Sequence, residues 1–598
     1  MPAPSPLTTD VLIIGAGPSG LATAIQLQRH HPATLRIELI EKGADVGGTW
    51  LANTYPGCGC DVASHFYSYS FALNPAWSRK FSLRGEIQAY FRGVAERFDV
   101  VRLVRFGTVV EGARWCEGDG EGYWEVRVKD LGTGDVVVRR ARIVVSAVGS
   151  LSVPKACEIP GAEEFQGALF HSALWDHSFD WKGKDVVVLG NGCSATQFVP
   201  IMAQTTRSLT QFARQAHFLA ERPNPVYSRA FQNFMRYVPG AMRAYRFKLY
   251  ADMEKDFAGF DVESGGSIRR GLKEENERYV KRMAPEKYWN ALIPKHEIGC
   301  KRKVMDTDYL TTLHRADVEL VHDDPVDRIT ATGVLAKSGR EVKADAIVLA
   351  TGFEVSRMLF PMEIVGQGGV SLNEHWDAQH NGAPQAYMGT CVPGFPNFFT
   401  LMGPNTVTGH LSVIYTVECQ IGFILRLIEP ILASARRHSS PQAGLGGGRD
   451  VEVVTAVDVK PEAAARHTGW LQARLGKLVW SSGCTSWALD PKTGVNIAMY
   501  PEYQFLFWLR SVFIPGEDFE YEVREAGKEK GKVVRRSLVV GGWRGVRRFA
   551  TTAVVVGGML AASALGIRRA GGWVEARGVV ERVLKGVVAQ GRGLLRVR

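Results

Sequence analysis

The sequence predicts an α/β protein with two similar parallel-sheet units, a helical insert and a basic C-terminal extension. Residues 10–15 form a short apolar strand that ends in glycine, residues 18–29 have a helical pattern, and residues 36–40 alternate like a second strand. The same order recurs over residues 185–212. Two such βαβ units predict two Rossmann-like dinucleotide-binding domains.

The region between residues 222 and 295 differs from both units. It is rich in Arg, Lys, Glu, Tyr and Phe, and it lacks strand alternation. We therefore expect mostly helices, inserted into the second unit. With 598 residues, of which 45% are hydrophobic, the chain is long enough for several packed domains.

The positive charge of the chain is confined to its C-terminal end. The formal net charge is +11, and residues 521–598 hold 17 Lys and Arg residues against 5 Asp and Glu residues. The body before this tail is close to neutral. This argues against a nucleic-acid partner, because nucleic-acid enzymes usually carry basic charge on the binding surface. A basic tail favours an anionic membrane surface or a solubilising extension.

Residues 549–567 are a run of 19 residues without a charge, and an Arg pair flanks them on each side. This length predicts a single-pass transmembrane helix, which would make this a membrane protein with a cytoplasmic body. The alternative is a buried or amphipathic helix, because Ala, Gly, Thr and Ser dilute the hydrophobicity. Nine scattered cysteines argue against a disulfide scaffold and favour a reducing compartment, and residues 1–10 show no signal-peptide pattern.

The segment Gly15-Ala-Gly17-Pro-Ser-Gly20 lies between the first strand and the first helix. In such a turn the first glycine permits the sharp bend, the second lets a pyrophosphate approach the backbone, and the third lets helix and strand pack closely. The pattern alone is weak in a chain with 64 glycines. Glu41 strengthens it, because it ends the second strand, where a carboxylate can accept the ribose hydroxyls.

The segment Gly190-Asn-Gly192-Cys-Ser194-Ala195 repeats this turn with alanine in the third position. No acid ends the strand that follows, and Arg214 stands there instead. A cation at this place suits a 2′-phosphate, so the second site predicts NADP rather than NAD. A solvated surface arginine is the alternative.

Residues 165–176 read FQGALFHSALWD. This string resembles the FxGxxxHxxxW(P/D) signature of type I Baeyer–Villiger monooxygenases, whereas related N- and S-oxidising flavin monooxygenases lack the ending that Trp175 and Asp176 provide. The resemblance extends over about residues 8–515 and is greatest to fungal members of secondary metabolism. It implies that the stretch around His171 is a hinge between domains, without direct chemistry.

Further segments resemble the parts of this family that contact its cofactors. Gly47-Gly48-Thr49-Trp50 resembles a segment against the FAD, and residues 55–67 resemble a loop whose Asp lies near flavin and nicotinamide. The resemblance and the first turn together imply an FAD site of Gly15, Gly17, Gly20, Glu41, Thr49, Trp50, Asp61, Val62 and Tyr67. The second turn implies an NADP site of Gly190, Gly192, Ser194, Ala195 and Arg214.

Residues 299–309 resemble the family segment that carries an active-site arginine, and the match singles out Arg302. A guanidinium stays charged at any working pH and can stabilise negative charge that develops during oxygen transfer. We expect Asp61 to pair with Arg302 and to tune its position. Lys301 and Lys303 are interpreted as residues of an ordinary basic turn.

The resemblance implies a monooxygenase that uses FAD, NADPH and O2 to insert one oxygen beside a ketone carbonyl, giving an ester or lactone. A membrane tether would suit a lipophilic ketone. One alternative is an N- or S-hydroxylating flavin monooxygenase, and another is a membrane-anchored nucleotide-binding protein without catalysis. Cys58 and Cys60 have CxC spacing, in which a disulfide is strained, so we expect ordinary loop cysteines. No metal-ligand spacing is present.

The domain organisation expected from these segments has four parts. Residues 1–150 and 354–520 form the FAD-binding domain, and residues 151–353 form the NADP-binding domain with its insert. Residues 521–598 form the basic tail.

Overall fold

The computed structural model describes residues 8–31, 34–117, 121–438, 452–483, 486–524, 533–538 and 540. Within them the chain forms a mixed α/β architecture with two Rossmann-like sheets, which confirms the predicted fold class. Most of the predicted basic tail, including the proposed membrane span at 549–567, lies outside the described residues.

The first sheet has eight strands and is centred on Thr9–Ile14, which pairs in parallel with Ile37–Ile40 and Val136–Ser146. The central strand reads as a continuous apolar run because the sheet is covered on both faces. In spatial order the strands are Glu363–Val365, Thr108–Glu117, Gly122–Asp130, Val136–Ser146, Thr9–Ile14, Ile37–Ile40 and Val104–Arg105, with Phe398–Thr400 also pairing with Val136–Ser146. The chain thus returns to the first sheet after completing the second.

The second sheet consists of five parallel strands. In spatial order they are Val318–Val321, Ser208–Phe212, Asp185–Leu189, Ala346–Leu349 and Ala168–His171. Leu349 lies opposite both Leu189 and His171, so these strand ends share one edge of the sheet. Ligands of open parallel sheets bind outside this carboxyl edge. A separate antiparallel unit comprises Val326–Thr330, Gly333–Ala336 and Glu341–Lys343.

Residues 222–295 are mainly helical, as predicted. The α-helices are Arg229–Tyr237, Ala241–Glu254, Gly266–Met283 and Trp289–Leu292. Leu219–Ala220 pairs in parallel with Val304–Met305, so the chain enters and leaves this region at adjacent positions. The residues just before Val304–Met305, including Arg302, are thereby held at the base of the insert.

The long helix Val413–His438 packs against helices Pro18–His30 and Gln504–Val512. Its residues Leu427 and Ile428 are fully buried, so this helix anchors the returning segment to the first sheet. The remaining α-helices are Thr49–Ala52, Arg84–Arg97, Cys193–Met202, Tyr309–Thr312, Leu372–His380 and Pro461–Leu475.

Strands Val453–Val459, Phe519–Arg524 and Val533–Arg536 form a third antiparallel sheet. Every second residue of the middle strand, beginning at Phe519, is buried, which is the alternation of a half-buried strand. The middle strand runs across position 521, where the basic tail is predicted to begin.

In the part of the chain that the structure describes, no helix combines the length and the apolar character that crossing a bilayer requires. Seven described cysteines are free thiols, whereas Cys300 is disulfide-bonded. The scattered cysteine spacing did not predict this bond.

Candidate active site

In the first glycine-rich turn, backbone atoms of neighbouring segments pack in direct contact. Gly15 has a φ of +102°, and a Cβ there would lie 2.9 Å from the carbonyl oxygen of Ala147. A Cβ on Gly20 would lie 1.9 Å from the carbonyl oxygen of Gly15. Only glycine therefore lets helix Pro18–His30 begin so close to the strand before it. The start of this helix directs N–H groups toward the space where a phosphate would bind.

Glu41 is buried at the end of strand Ile37–Ile40. Its Oε2 accepts a hydrogen bond from the Ala16 N–H, and its Oε1 accepts one from the Gly43 N–H, both at 2.7 Å. The carboxylate thus ties the second strand to the glycine-rich turn. Each carboxylate oxygen has a further lone pair that a ligand hydroxyl can use.

Gly48 approaches the same turn, since a Cβ on Gly17 would lie 3.4 Å from its Cα. Two residues further on, Trp50 is buried, and its Nε1 donates a hydrogen bond to the Tyr67 hydroxyl at 3.2 Å. Burial raises the pKa of Tyr67, so this hydroxyl stays protonated. Thr49 is exposed at the start of its short helix. Gly48 and the Trp50–Tyr67 pair therefore lie near the first glycine-rich turn.

Asp61 and Arg302 are 241 residues apart in sequence and form a bidentate ion pair. Arg302 Nε donates to Asp61 Oδ2 and Arg302 Nη2 donates to Oδ1, both at 2.8 Å. The side chains are 29% and 27% exposed, so a ligand can reach them. The parallel fork fixes the direction of the guanidinium as well as its charge.

The two groups of this pair stabilise each other's charge. Burial opposes the ionisation of Asp61, but the charge and hydrogen bonds of Arg302 lower its pKa below the ordinary value. The Asp61 carboxylate in turn raises the pKa of Arg302. Both groups are therefore ionised at neutral pH, and Arg302 presents a fixed cation.

A second guanidinium, that of Arg222, approaches the same loop. Its Nη2 donates to the Cys60 carbonyl oxygen at 2.8 Å, and its central carbon lies 5.1 Å from the ring centre of Phe81. The charge of Arg222 also lowers the pKa of Asp61. The guanidinium groups of Arg302 and Arg222 thus lie near the single carboxylate of Asp61, so the three groups together carry a net positive charge. Sequence reasoning missed Arg222, because a single arginine at the edge of the insert carries no local signal.

The second glycine-rich turn repeats the geometry of the first. Gly190 has a φ of +113°, and a Cβ there would lie 2.5 Å from the Ala350 carbonyl oxygen. A Cβ on Gly192 would meet no atom within 4 Å, which leaves space beside the helix start for a phosphate. Ala195 is fully buried in the first turn of helix Cys193–Met202, where its methyl group fills the place of the third glycine.

Ser194 and Arg214 lie on the same side of the second sheet as this turn. Ser194 is half-buried next to the helix start, and Arg214 is exposed just after strand Ser208–Phe212. Lys301 Nζ donates a hydrogen bond to the side-chain oxygen of Gln215, the residue after Arg214, and burial and the charge of Arg214 lower the pKa of Lys301. The interpretation of Lys301 as an ordinary turn residue therefore missed a second cation near Arg214.

Gln197 connects helix Cys193–Met202 to the loop that carries Asp61. Its Oε1 accepts hydrogen bonds from the Tyr55 hydroxyl at 3.0 Å and the Gly59 N–H at 3.3 Å. Its Nε2 donates to the Gly59 carbonyl oxygen at 3.1 Å. The Gln197 amide thus accepts from and donates to the backbone of Gly59, as a neighbouring strand would. It links the two dinucleotide units. A lone glutamine in a helix offers no sequence signal for this role.

The segment of residues 165–176 is held by packing. His171 Nδ1 accepts a hydrogen bond from the Ala173 N–H at 3.0 Å, and its ring lies edge-on to Phe353 with centres 5.9 Å apart. Trp175 is buried against Phe198 of helix Cys193–Met202. These contacts connect a strand end and a helix within the second dinucleotide unit, and the role of this segment as a hinge stays a prediction.

Cys58 and Cys60 are separate, buried, free thiols, as expected of ordinary loop cysteines. Burial raises the pKa of Cys58 to about 11. The N–H of Val62 donates to Cys60 Sγ at 3.4 Å. Cys60 and Val62 therefore shape the loop on either side of Asp61.

Comparison with known proteins agrees with this geometry. The model of the flavin-binding monooxygenase-like family matches residues 8–368. A protein from Pseudomonas aeruginosa named Baeyer-Villiger monooxygenase is 34% identical over 499 residues, which cover 83% of this chain and 88% of that protein. The FAD-binding monooxygenase ktnD from Aspergillus niger is 35% identical over 486 residues, which cover 80% of this chain and 76% of that protein.

Solved structures of the same kind match along most of the chain. A steroid monooxygenase bound to NADP has a TM-score of 0.70 and 27% identity, and the match covers 86% of this chain and 99% of that one. A complex of OTEMO with FAD and NADP has a TM-score of 0.71 and 26% identity, with 86% and 99% covered. The chain therefore belongs to the flavin-binding monooxygenase-like family.

Proposed function

We propose that this protein is an FAD- and NADPH-dependent Baeyer–Villiger monooxygenase, which inserts one oxygen of O2 beside a ketone carbonyl to give an ester or lactone. The ending of the signature at Trp175 and Asp176 and the names of the relatives support this reaction. The observation that carries the proposal is the ion pair of Arg302 with Asp61. It holds a fixed, accessible cation between the two dinucleotide units.

FAD fits the first turn, because the glycines there leave backbone N–H groups open to a pyrophosphate. When bound, FAD would carry two electrons from NADPH to O2, so that one oxygen atom enters the product and the other leaves as water. We assign its binding to Gly15, Gly17, Gly20, Glu41, Thr49, Trp50, Asp61, Val62 and Tyr67. The FAD-binding domain would comprise residues 1–150 and 354–520, which agrees with the pairing of Phe398–Thr400 with Val136–Ser146.

Arg302 would act on the negative charge that develops on the ketone oxygen during insertion. A guanidinium is preorganised for this task, because Asp61 already fixes its orientation and no solvent has to reorganise. The bidentate contact uses Nε and Nη2 of Arg302, which leaves Nη1 free to face a substrate oxygen. Asp61 positions the cation, while Arg222 holds the Asp61 loop through the Cys60 carbonyl.

NADPH would bind at the second turn through Gly190, Gly192, Ser194, Ala195 and Arg214. Arg214 and Lys301 together supply the positive charge for a 2′-phosphate. A ketone panel tests the proposed reaction against the alternative chemistry: with NADPH, the purified protein should convert ketones to esters or lactones. Oxidation of amines and thioethers without any ketone conversion would contradict it.

The first prediction concerns cofactor choice. NADPH should be preferred over NADH, and Arg214→Ala should remove most of that preference, because a charge-assisted phosphate contact is worth roughly 10- to 150-fold in affinity. The measurement is kcat/KM for both cofactors. Arg328→Ala is the matched control, since Arg328 is an exposed arginine that pairs with Glu164. Equal efficiency of the unmodified enzyme with both cofactors would contradict the assignment.

Our proposal also includes a membrane association through a single-pass helix at residues 549–567, with the catalytic body on the cytoplasmic side and a lipophilic ketone as substrate. The length and basic flanks of this run support it. The oxidation would belong to secondary metabolism, in line with the fungal relative ktnD.

The second prediction concerns this tail. A chain that ends after Val540 keeps the strands Phe519–Arg524 and Val533–Arg536, so it should retain FAD and oxygenase activity and should be released from the membrane fraction by high salt at alkaline pH. The full chain should stay in the membrane pellet after extraction with high salt at alkaline pH. Release of the full chain under those conditions would rule out a spanning helix.

A further inference from the structure

The first two helices of the insert, Arg229–Tyr237 and Ala241–Glu254, form a hairpin whose tip is unusually apolar for an exposed surface. Phe234 is 52% exposed, Tyr237 is 71% exposed, and Val238 in the connecting turn is 42% exposed. Large apolar side chains that are exposed next to one another are typical of an interaction surface, whereas ordinary apolar surface residues are scattered singly. We call Phe234, Tyr237 and Val238 the hairpin tip.

Helical periodicity separates this surface from the core. Ala230, Phe234 and Tyr237 follow the i, i+4, i+7 spacing and are all exposed. Phe231 and Met235 lie on a neighbouring face, about 100° around the helix, where Met235 is buried and Phe231 stacks on Tyr227. The helix therefore has two apolar faces, of which the protein covers only one.

The charge around the tip has a single sign. Residues 222–251 contain six Lys and Arg residues and no Asp or Glu. Arg229, Arg236 and Arg243 are exposed, and the described residues offer them no ion pair. An apolar helix face flanked by unpaired arginines is the pattern of a helix that lies on an anionic lipid surface.

We propose that the hairpin tip docks on an anionic membrane surface, with Phe234, Tyr237 and Val238 entering the headgroup region and the three arginines contacting lipid phosphates. This contact is independent of residues 549–567 and of the proposed reaction. A protein partner would need an acidic residue opposite each arginine, whereas an anionic lipid surface can pair with all three arginines at once.

The covered face of the first hairpin helix packs against the loop that carries Asp61. The rings of Tyr227, Phe231 and Tyr245 surround His65 with ring centres 5.2 to 5.9 Å apart, and His65 follows Asp61 by four residues. Docking would therefore attach the lipid surface to the same hairpin that packs against the loop carrying Asp61.

The experiment uses the full chain and vesicles of phosphatidylcholine with or without phosphatidylserine. Co-sedimentation gives the partition coefficient, and amide hydrogen exchange of residues 229–248 reports whether the hairpin is the part that binds. We expect exchange in the hairpin to slow only with phosphatidylserine. The combined variant Arg229→Glu, Arg236→Glu, Arg243→Glu should weaken the contact of the hairpin with lipid by on the order of a hundredfold and so abolish this slowing, because each basic residue contributes separately.

A second variant, Phe234→Ser with Tyr237→Ser and Val238→Ser, should also abolish the slowing of hairpin exchange, while Leu131→Ser with Val137→Ser should not. The control residues Leu131 and Val137 are exposed to similar degrees, 53% and 47%, in the first sheet. Unchanged hairpin exchange in protein that co-sediments would show that another segment binds and would overturn the proposal. Protection that rises with protein concentration in the absence of vesicles would overturn it as well, in favour of self-association.

Discussion

Arg302→Ala is expected to lower ester formation by on the order of a thousandfold, because it removes the preorganised cation that stabilises charge during oxygen insertion. FAD should stay bound, since the first glycine-rich turn and Glu41 are untouched. Flavin reduction by NADPH should slow much less than ester formation. The measurement is paired: the rate of flavin bleaching without oxygen, and the yield of ester per NADPH consumed with oxygen.

Two variants make this prediction specific. Lys303→Ala removes a neighbouring cation that pairs with Asp256 at 3.5 Å, and it should leave the yield nearly unchanged. Arg302→Lys keeps the charge but loses the bidentate fork with Asp61 and should recover only part of the activity. A normal ester yield per NADPH in Arg302→Ala would mean that Arg302 is an ordinary turn residue.

Gly20→Ala is expected to prevent the protein from holding FAD. The new methyl group would lie 1.9 Å from the carbonyl oxygen of Gly15, so helix Pro18–His30 has to shift away from the strand that precedes it. Overpacking of this kind costs about 1–3 kcal/mol. In this case the atoms that have to move belong to the backbone of the turn that is predicted to bind FAD. Purified protein should be nearly colourless and should melt at a lower temperature.

Gly93→Ala is the control for this variant. Gly93 lies inside helix Arg84–Arg97, and a Cβ there would meet no atom within 4 Å. Alanine at this position should raise stability by roughly 0.5–1 kcal/mol and keep FAD bound. If Gly20→Ala purified with a full complement of FAD, the close packing at the first turn would not be needed for the cofactor.

The two βαβ units could be predicted from sequence because each strand, turn and helix has a local signature. Thr9–Ile14, Pro18–His30 and Ile37–Ile40 lie within one or two residues of the predicted positions. Strand Phe519–Arg524 also carried a local signal, the alternation of Phe519, Tyr521 and Val523. The sequence analysis did not assign this strand, because residues 521–598 were interpreted from their net positive charge.

The site was only partly predictable for a different physical reason. No local pattern joins Asp61 to Arg302, and only the resemblance of two separate segments to one family suggested the pair. Gln197 and Arg222 act on backbone carbonyl and N–H groups, and such partners leave no trace in the sequence. The variants of Gly20, Arg214 and Arg302 test the predicted roles of these three residues directly.

The most direct test of the proposed function is the conversion of a ketone by the purified full-length protein with NADPH under isotopically labelled O2, followed by mass spectrometry of the product. We predict an ester or lactone that contains one labelled oxygen atom, formed in an amount that matches the NADPH consumed. NADPH consumption without any labelled ester, or a labelled N- or S-oxide with every ketone unchanged, would contradict it.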